Sequence, residues 1–556
     1  MGRQIRLILD SLLLGVVGGL SAQLFIWLLH VANSLFLNRI AGYQEPGVAA
    51  NGGVLTDVIG PNGLWLIPLV TTVGGLISGV MVYSLAPEAE GHGTDTAVKA
   101  FHRMGGFIRA RVAPLKMVAS AITIGTGGSA GREGPTALIS AGVGSIYATL
   151  GKRTDEDRRL LVLIGMASGL SAIFRSPIGT AIFAIEVLYG DMEFEGGALL
   201  YTMLGSVMAY AVNGLFVGFQ PLFQVPADIP VPGLSEYSWY ALLGIMAGVV
   251  ATILPNVFYG IRDLFHAIPI PPHFKPAIGG LGLGLLALAL PQVLGGGYGW
   301  IQEAINGELV LSLLLILAFA KIVALALTIS SGGSGGVFAP SLYIGAMLGG
   351  GLALVFNQPA AAFTVVGMAA VFAGAARIPI ATLLMVTEMT GGYHLLVPAA
   401  LAVVLSYLIQ VGLTSKLKYK SLYEAQVDRK ADSPAHHLEQ IEDALHLLSD
   451  QGLTLPETDA RVNLQALLQG GIPVELPDGK RLVLSELKRG SKYVGKSVVD
   501  SFPVNSENDV EVIAVLRQGK TLLPHGQVKL QTDDRVLVIC SEKALHDNQE
   551  LLKVDD

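Results

Sequence analysis

Two nine-residue segments of this 556-residue chain share one pattern. Gly127-Gly128-Ser129-Ala130-Gly131-Arg132-Glu133-Gly134-Pro135 and Gly332-Gly333-Ser334-Gly335-Gly336-Val337-Phe338-Ala339-Pro340 both read Gly-Gly-Ser-x-Gly-x-x-x-Pro. Eleven residues before each stands a lysine in an apolar stretch, Lys116 and Lys321, so the copies are offset by 205 throughout. A second pair, Arg175-Ser176-Pro177-Ile178-Gly179-Thr180 and Arg377-Ile378-Pro379-Ile380-Ala381-Thr382, recurs at an offset of 202. Each copy is followed six residues later by a glutamate, Glu186 and Glu388. Two agreements at nearly one spacing are most simply a duplicated unit, so the fold must lay down one chain path twice.

Hydrophobic residues make up 52% of the chain and charged residues 14%, which places it among integral membrane proteins rather than soluble domains. Apolar stretches recur from residue 5 to residue 414. Some approach the roughly 20 residues that cross hydrocarbon; others are too short to cross alone. With 68 glycines between and within these stretches, many helices should be broken or re-entrant, which a bilayer tolerates only where protein or a watery cavity satisfies the backbone. The expected fold is an all-α polytopic membrane protein with an internal repeat; the repeats could be inverted or parallel, and the several short half-helices favour inverted. Its halves are 1–220 and 236–415, joined by the Pro-rich stretch Pro221 to Pro232. Duplicated apolar halves with corresponding Gly/Pro-broken segments mark a transporter whose substrate lies between them.

Leu7 to Phe36 is too long for a signal peptide and is read as a first helix. Arg3 and Arg6 before it, and Lys416, Lys418 and Lys420 after the last apolar stretch, place both termini on the cytoplasmic side with an even number of full crossings. A single cysteine, Cys540, excludes an intramolecular disulfide. The net charge of −7 reflects the acidic tail.

Composition changes near Lys416. The membrane domain is expected to cover 1–425, with a linker over 426–480 in which Ser433-Pro434 caps a short helix. Over 481–556, alternating apolar runs such as Val510 to Leu516 and Arg535 to Cys540 read as a small β-rich domain with a closing helix. Within it, Gly490 to Ser497 fits the phosphate-binding pattern G-x-x-x-x-G-K-[ST]. The context denies it, because Lys488-Arg489 precede it and Pro503 follows within six residues, leaving no buried strand and no long helix.

A Gly-rich turn that opens a helix inside a membrane exposes backbone N–H groups that sum with the helix dipole and bind anions. Two such ends, one from each half, imply an anion pathway, and nothing in the membrane portion resembles a cation site. Lys116 and Lys321 either raise the potential along that path or serve as snorkelling or interface residues. No metal-spaced cluster and no nucleophile elbow is present, so neither an enzyme nor a cofactor is expected. No nucleic-acid partner is expected either.

At these residues the chain resembles the CLC chloride channels and chloride/proton antiporters. Gly131 to Pro135 is similar to their G-[KR]-E-G-P signature and Gly336 to Pro340 to G-x-F-x-P, while Gly91-His92-Gly93-Thr94-Asp95 stands where G-S-G-I-P belongs. The resemblance spans residues 1–425. It implies a homodimer in the plasma (inner) membrane with one anion pore per subunit. It also implies that Glu133 is the gating glutamate, that Val337 and Phe338 give backbone N–H groups to chloride, and that the Tyr423 hydroxyl faces the anion. Gly93, Arg132 and Gly134 complete the implied anion-binding set, with His92 in place of the usual serine. An imidazole N–H donating to chloride and a histidine turned away are equally open.

In the antiporters an inner glutamate passes protons; its place here is held by Val187, beside Glu186. This departure favours passive chloride conduction gated by Glu133. Proton-coupled exchange, with Glu133, Glu186 and Val187 along the route, is the alternative, as is transport of another small anion such as nitrate or fluoride. For Glu186, a structural partnership with Arg175 or with backbone N–H groups is favoured, because Glu388 repeats it. The tail, Leu484 to Leu552, resembles the C-terminal half of regulator-of-conductance (TrkA-C-like) domains, which dimerise and bind small ligands; the ligand here is unknown.

Overall fold

The computed structural model describes residues 2–61, 63–226, 229, 232–433, 435–436, 474–475, 481–487, 491, 493–497, 510–517, 520–522 and 529–540. Met1–Gln426 forms one unit and Val427–Asp556 another. In the first, eight helices are followed by eight more in the same order. The first set is α1 (Arg3–Asn33), α2 (Ile67–Leu85), α3 (Thr94–Arg103), α4 (Val112–Gly125), α5 (Glu133–Leu150), α6 (Asp155–Phe174), α7 (Pro177–Glu186) and α8 (Leu199–Val217). The second is α9 (Tyr237–Ala267), α10 (Lys275–Ala289), α11 (Tyr298–Asn306), α12 (Leu311–Ile329), α13 (Phe338–Phe356), α14 (Ala360–Ala376), α15 (Pro379–Thr390) and α16 (Leu396–Thr414).

The repeat read from two motifs therefore extends over whole halves. Packing obeys it: α1 lies on α6 and α8 as α9 lies on α14 and α16, and α5 pairs with α6 as α13 pairs with α14. Both of the latter pairs need glycine. A Cβ on Gly165 of α6 would stand 2.2 Å from the Ser140 carbonyl oxygen of α5, and one on Gly367 of α14 would stand 2.4 Å from the Gly345 carbonyl oxygen of α13. Small residues let membrane helices approach this closely.

The apolar run 160–189 is split in the structure. Arg175 ends α6 in the left-handed region at φ 56°, and Pro177 then opens α7; Arg377 (φ 57°) and Pro379 do the same between α14 and α15. Proline has no N–H to continue the preceding helix and is preset for the first turn of the next.

Among the described residues seven helices are long and apolar enough to cross a membrane. Others, including α4, α7 and α15, are short, as the broken apolar stretches led one to expect. Large apolar side chains point outward from α1 (Leu9, Leu13, Leu20, Leu24) and α12 (Leu315, Ile316, Phe319, Val323), which suits a lipid-facing surface. By contrast 89% of the apolar window of α13 is buried, so it is a core helix wrapped by others. A short ribbon, β1 (Tyr43–Gln44) with β2 (Val58–Ile59), lies between α1 and α2.

The second unit holds an antiparallel sheet of β3 (Val474–Glu475), β4 (Arg481–Glu486), β5 (Val510–Arg517), β6 (Lys520–Leu522) and β7 (Arg535–Cys540), in the order β3-β4-β7-β5-β6. Alternation sets the register: Val483 and Val512 both pair with Val538. Val483, Leu487, Val515, Leu530, Val536 and Val538 build its core. In the described part of the phosphate-pattern segment, the Gly495 N–H donates to Leu530 O (2.8 Å) and the Leu530 N–H to Lys496 O (2.9 Å). Those groups are engaged by protein backbone, which speaks against a phosphate loop, although a buried strand, β4, does precede the segment, contrary to the sequence reading. The helix expected after Ser433-Pro434 and the closing helix lie outside the described residues.

Candidate functional site

The two Gly-Gly-Ser turns meet. Gly127 and Gly332, equivalent in the repeat, take φ of 98° and 103°, a conformation open to glycine. Each turn carries the chain from α4 or α12 into α5 or α13. Gly131 and Gly336, again equivalent, form an antiparallel bridge: the Gly131 N–H donates to Gly336 O at 2.8 Å and the Gly336 N–H to Gly131 O at 2.6 Å. Equivalent residues pairing antiparallel require a local two-fold axis between them. An inverted arrangement of the halves fits this bridge.

Beside the bridge, the first turns of α5 and α13 border a small cavity with room for about one water-sized sphere. Glu133, Gly134, Val337, Phe338 and Tyr423 line it, together with Thr94, Leu170, Phe174 and Phe183. Phe338 is fixed by Phe174 and Phe372, each with ring centroids 4.3 Å away. The Tyr423 hydroxyl lies against the Thr94 hydroxyl. Helix N-termini supply free N–H groups and positive potential, hydroxyls supply donors, and aromatic edges exclude water; the set suits a small anion.

Glu133 is 1% exposed, and neither carboxylate oxygen has a hydrogen-bond partner. One oxygen would stand 2.0 Å from a Cβ on Gly131, so the side chain folds back over its own turn toward the start of α13, near the Ala339 N–H. Gly134 is pressed against His92, whose carbonyl oxygen would lie 2.0 Å from an added Cβ. Gly93 packs on Gly134 in the same way, an added Cβ lying 2.7 Å from Gly134 O.

Three members of the expected anion-binding set do not line the cavity, and of these Gly93 stands behind Gly134. His92 does not line the cavity: its Nε2 is 3.1 Å from Asp95 Oδ2 and its ring meets Tyr423 edge-on at 5.3 Å, while the first residue of α3, Thr94, presents the hydroxyl. Arg132 sits one residue before Glu133, and the helical turn directs it away, over the Tyr298 ring at 4.9 Å and into a separate cavity shared with His30, Arg175 and Asn213.

Glu186 belongs to a reciprocal pair of caps. Its carboxylate accepts from the Ile380 N–H (3.1 Å) and Ala381 N–H (2.6 Å) at the start of α15. Glu388 accepts from the Ile178 N–H (3.2 Å), the Gly179 N–H (2.9 Å) and the Ser176 hydroxyl (2.5 Å) at the start of α7. Val187 is fully buried beyond the end of α7. The lysines are equivalent too. Lys116 Nζ donates to Ala89 O (3.0 Å) and Gly91 O (2.6 Å), and Lys321 Nζ to Val293 O (2.8 Å) and Gly295 O (2.7 Å). Each ammonium, fully buried, fastens the loop that opens α3 or α11.

A family model described as voltage gated chloride channel matches residues 74–411. The chain belongs to the voltage-gated chloride channel (CLC) family. A TrkA-C domain model matches residues 482–553, the sheet-bearing tail. The H(+)/Cl(-) exchange transporter ClcA of Salmonella agona is 32% identical over 378 residues, covering 65% of this chain and 78% of that protein. Among solved structures, a slow cyanobacterial Cl-/H+ antiporter aligns with a TM-score of 0.64 at 22% identity, covering 75% of this chain and 96% of that one. A CLC-type fluoride/proton antiporter aligns at the same TM-score and identity, covering 77% and 99%.

In this CLC chain, Thr94, Leu170, Phe174 and Phe183 were missed as cavity residues. Thr94 carried a usable signal, a hydroxyl residue directly after Gly93 where a helix begins. The others are apolar residues in apolar helices, indistinguishable in sequence from packing residues.

Proposed function

We propose that this CLC-family protein exchanges chloride for protons across the membrane, with Glu133 as the group that both anion and proton engage. The observation that carries this is the Glu133 carboxylate, buried and without a hydrogen-bond partner where the first turns of α5 and α13 converge. An ionised carboxylate there competes with chloride for the same N–H groups; protonated, it loses that attraction and yields the place. Val187 pointed to passive conduction, but relatives 32% identical are H(+)/Cl(-) exchange transporters, and this favours exchange. Val337 and Phe338 give backbone N–H groups to the anion, and Tyr423 and Thr94 give hydroxyls. The protein works as a homodimer in the plasma membrane, with both termini cytoplasmic and the TrkA-C tail taking a small ligand.

The test is proton movement under a chloride gradient in liposomes holding the purified protein, with voltage clamped by potassium and valinomycin. Uphill proton movement driven by chloride is expected, and Glu133→Gln abolishes it while chloride still crosses. Chloride flux with no proton movement in the unaltered protein overturns exchange in favour of passive conduction.

A further inference from the structure

Resting on the exchange reading, we propose that the His92–Asp95 pair carries protons between the central cavity and the face from which the chain leaves the membrane unit. Glu186 spends both carboxylate oxygens on backbone N–H groups and Val187 cannot hold a proton, so a route from that face needs other titratable groups. His92 and Asp95 form a graded pair, with side chains 7% and 25% exposed and Nε2 to Oδ2 at 3.1 Å. Asp95 Oδ1 accepts the Ala425 N–H at 3.2 Å, two residues before Val427 begins the tail unit, which places the carboxylate at the exit face. At the inner end, the imidazole packs edge-on against Tyr423, a cavity residue, and its backbone touches Gly134 beside Glu133. The second ring nitrogen, Nδ1, is buried with no partner, so the ring is held by one nitrogen and free to exchange a proton through the other.

The step is a relay of single protons. Nε2 takes the proton of the Asp95 carboxyl group, one N–H forming as one O–H breaks. Nδ1, behind the cavity wall formed by Tyr423 and Gly134, then releases its proton toward the Glu133 carboxylate, one N–H breaking as one O–H forms. Imidazole suits this because it has two nitrogens, one to take a proton and one to release it. Among the described residues, the charged or titratable groups next to the pair include Lys116 from α4, Glu133 from α5, Tyr259 from α9 and Tyr423 after α16. Lys116 is held by backbone carbonyls, so Asp95 supplies the negative charge that balances a protonated ring.

The experiment compares protons moved per chloride for the full chain and for His92→Asn, Asp95→Asn and His92→Glu in the liposome assay. Loss of a positioned proton-transfer group should lower that ratio at least about tenfold in His92→Asn and Asp95→Asn with chloride still moving. His92→Glu, which restores a titratable group, should recover it. An unchanged ratio in His92→Asn overturns the proposal; should that variant move no chloride, an unchanged ratio in Asp95→Asn does the same. Absence of proton movement in the unaltered protein overturns the exchange reading instead, so the two failures are distinct.

Discussion

Glu186 caps the helix that carries Glu388, and Glu388 caps the helix that carries Glu186. Each carboxylate sits near the C-terminal end of its own short helix and accepts N–H groups from the first turn of the other, so α7 and α15 lie antiparallel. A negative charge at a helix N-terminus is favourable, and a buried N–H left without an acceptor is costly. Glu186→Ala and Glu388→Ala should each destabilise the membrane unit by about 1–3 kcal/mol, read as a lower unfolding temperature in detergent. Glu186→Gln, which keeps an acceptor, should lose less and leave protons per chloride unchanged; a collapsed ratio would return Glu186 to the proton route.

The contact between Gly134 and His92 leaves no space for a methyl group. A Cβ at Gly134 would stand 2.0 Å from the His92 carbonyl oxygen and 3.0 Å from the Gly336 Cα, both backbone atoms. Gly134→Ala must therefore push the start of α5 away from the loop before α3 and, more weakly, from Gly336 of the other half. Chloride flux should fall at least about tenfold, since small misplacements at a preorganised site cost that much or more. Near-normal chloride flux in the purified variant would show that the bridge tolerates separation.

The lysines separate structure from electrostatics. Lys116 and Lys321 make equivalent bonds to backbone carbonyls, so Lys116→Met and Lys321→Met should each cost about 1–3 kcal/mol through unsatisfied acceptors. Lys116 packs behind Gly93, next to the cavity residue Thr94: a Cβ on Gly93 would lie 3.0 Å from its Cε. Chloride binding measured by calorimetry should weaken in Lys116→Met alone. Equal weakening in both would mean that the loops, and not the charge, govern the site.

Much of the architecture was legible because duplication is a sequence property. The Gly-Gly-Ser and Arg-x-Pro motifs placed Glu133, Val337 and Phe338 together, since each motif marks a helix start that only its equivalent can face. Side-chain direction was not legible. His92 occupies the position that should face the anion, yet Asp95, three residues on along α3, takes its ring, and Thr94 supplies the hydroxyl. Arg132 adjoins Glu133 in sequence but points into another cavity, because adjacent helical residues diverge by about 100°.

Asp534 in the tail is 1% exposed and holds Arg517 through two bonds of 2.7 Å, while its Oδ2 also accepts the Gln531 N–H at 2.7 Å. Arg517 in turn donates to Lys529 O at 2.6 Å, so the pair ties the end of β5 to the turn that enters β7. The carboxylate holds the Arg517 guanidinium above its ordinary, already high value. A raised basic group stabilises the fold below its unfolded pKa and loses that effect only as pH rises through the folded one. This contribution should therefore be flat between about pH 6 and 9. Asp534→Ala strands the guanidinium and frees the Gln531 N–H, which should cost the tail about 1–3 kcal/mol. Limited proteolysis of the full chain should then cut the tail faster at every pH in that range. Cleavage that accelerates only at one end would assign the tail's stability to a different titrating group.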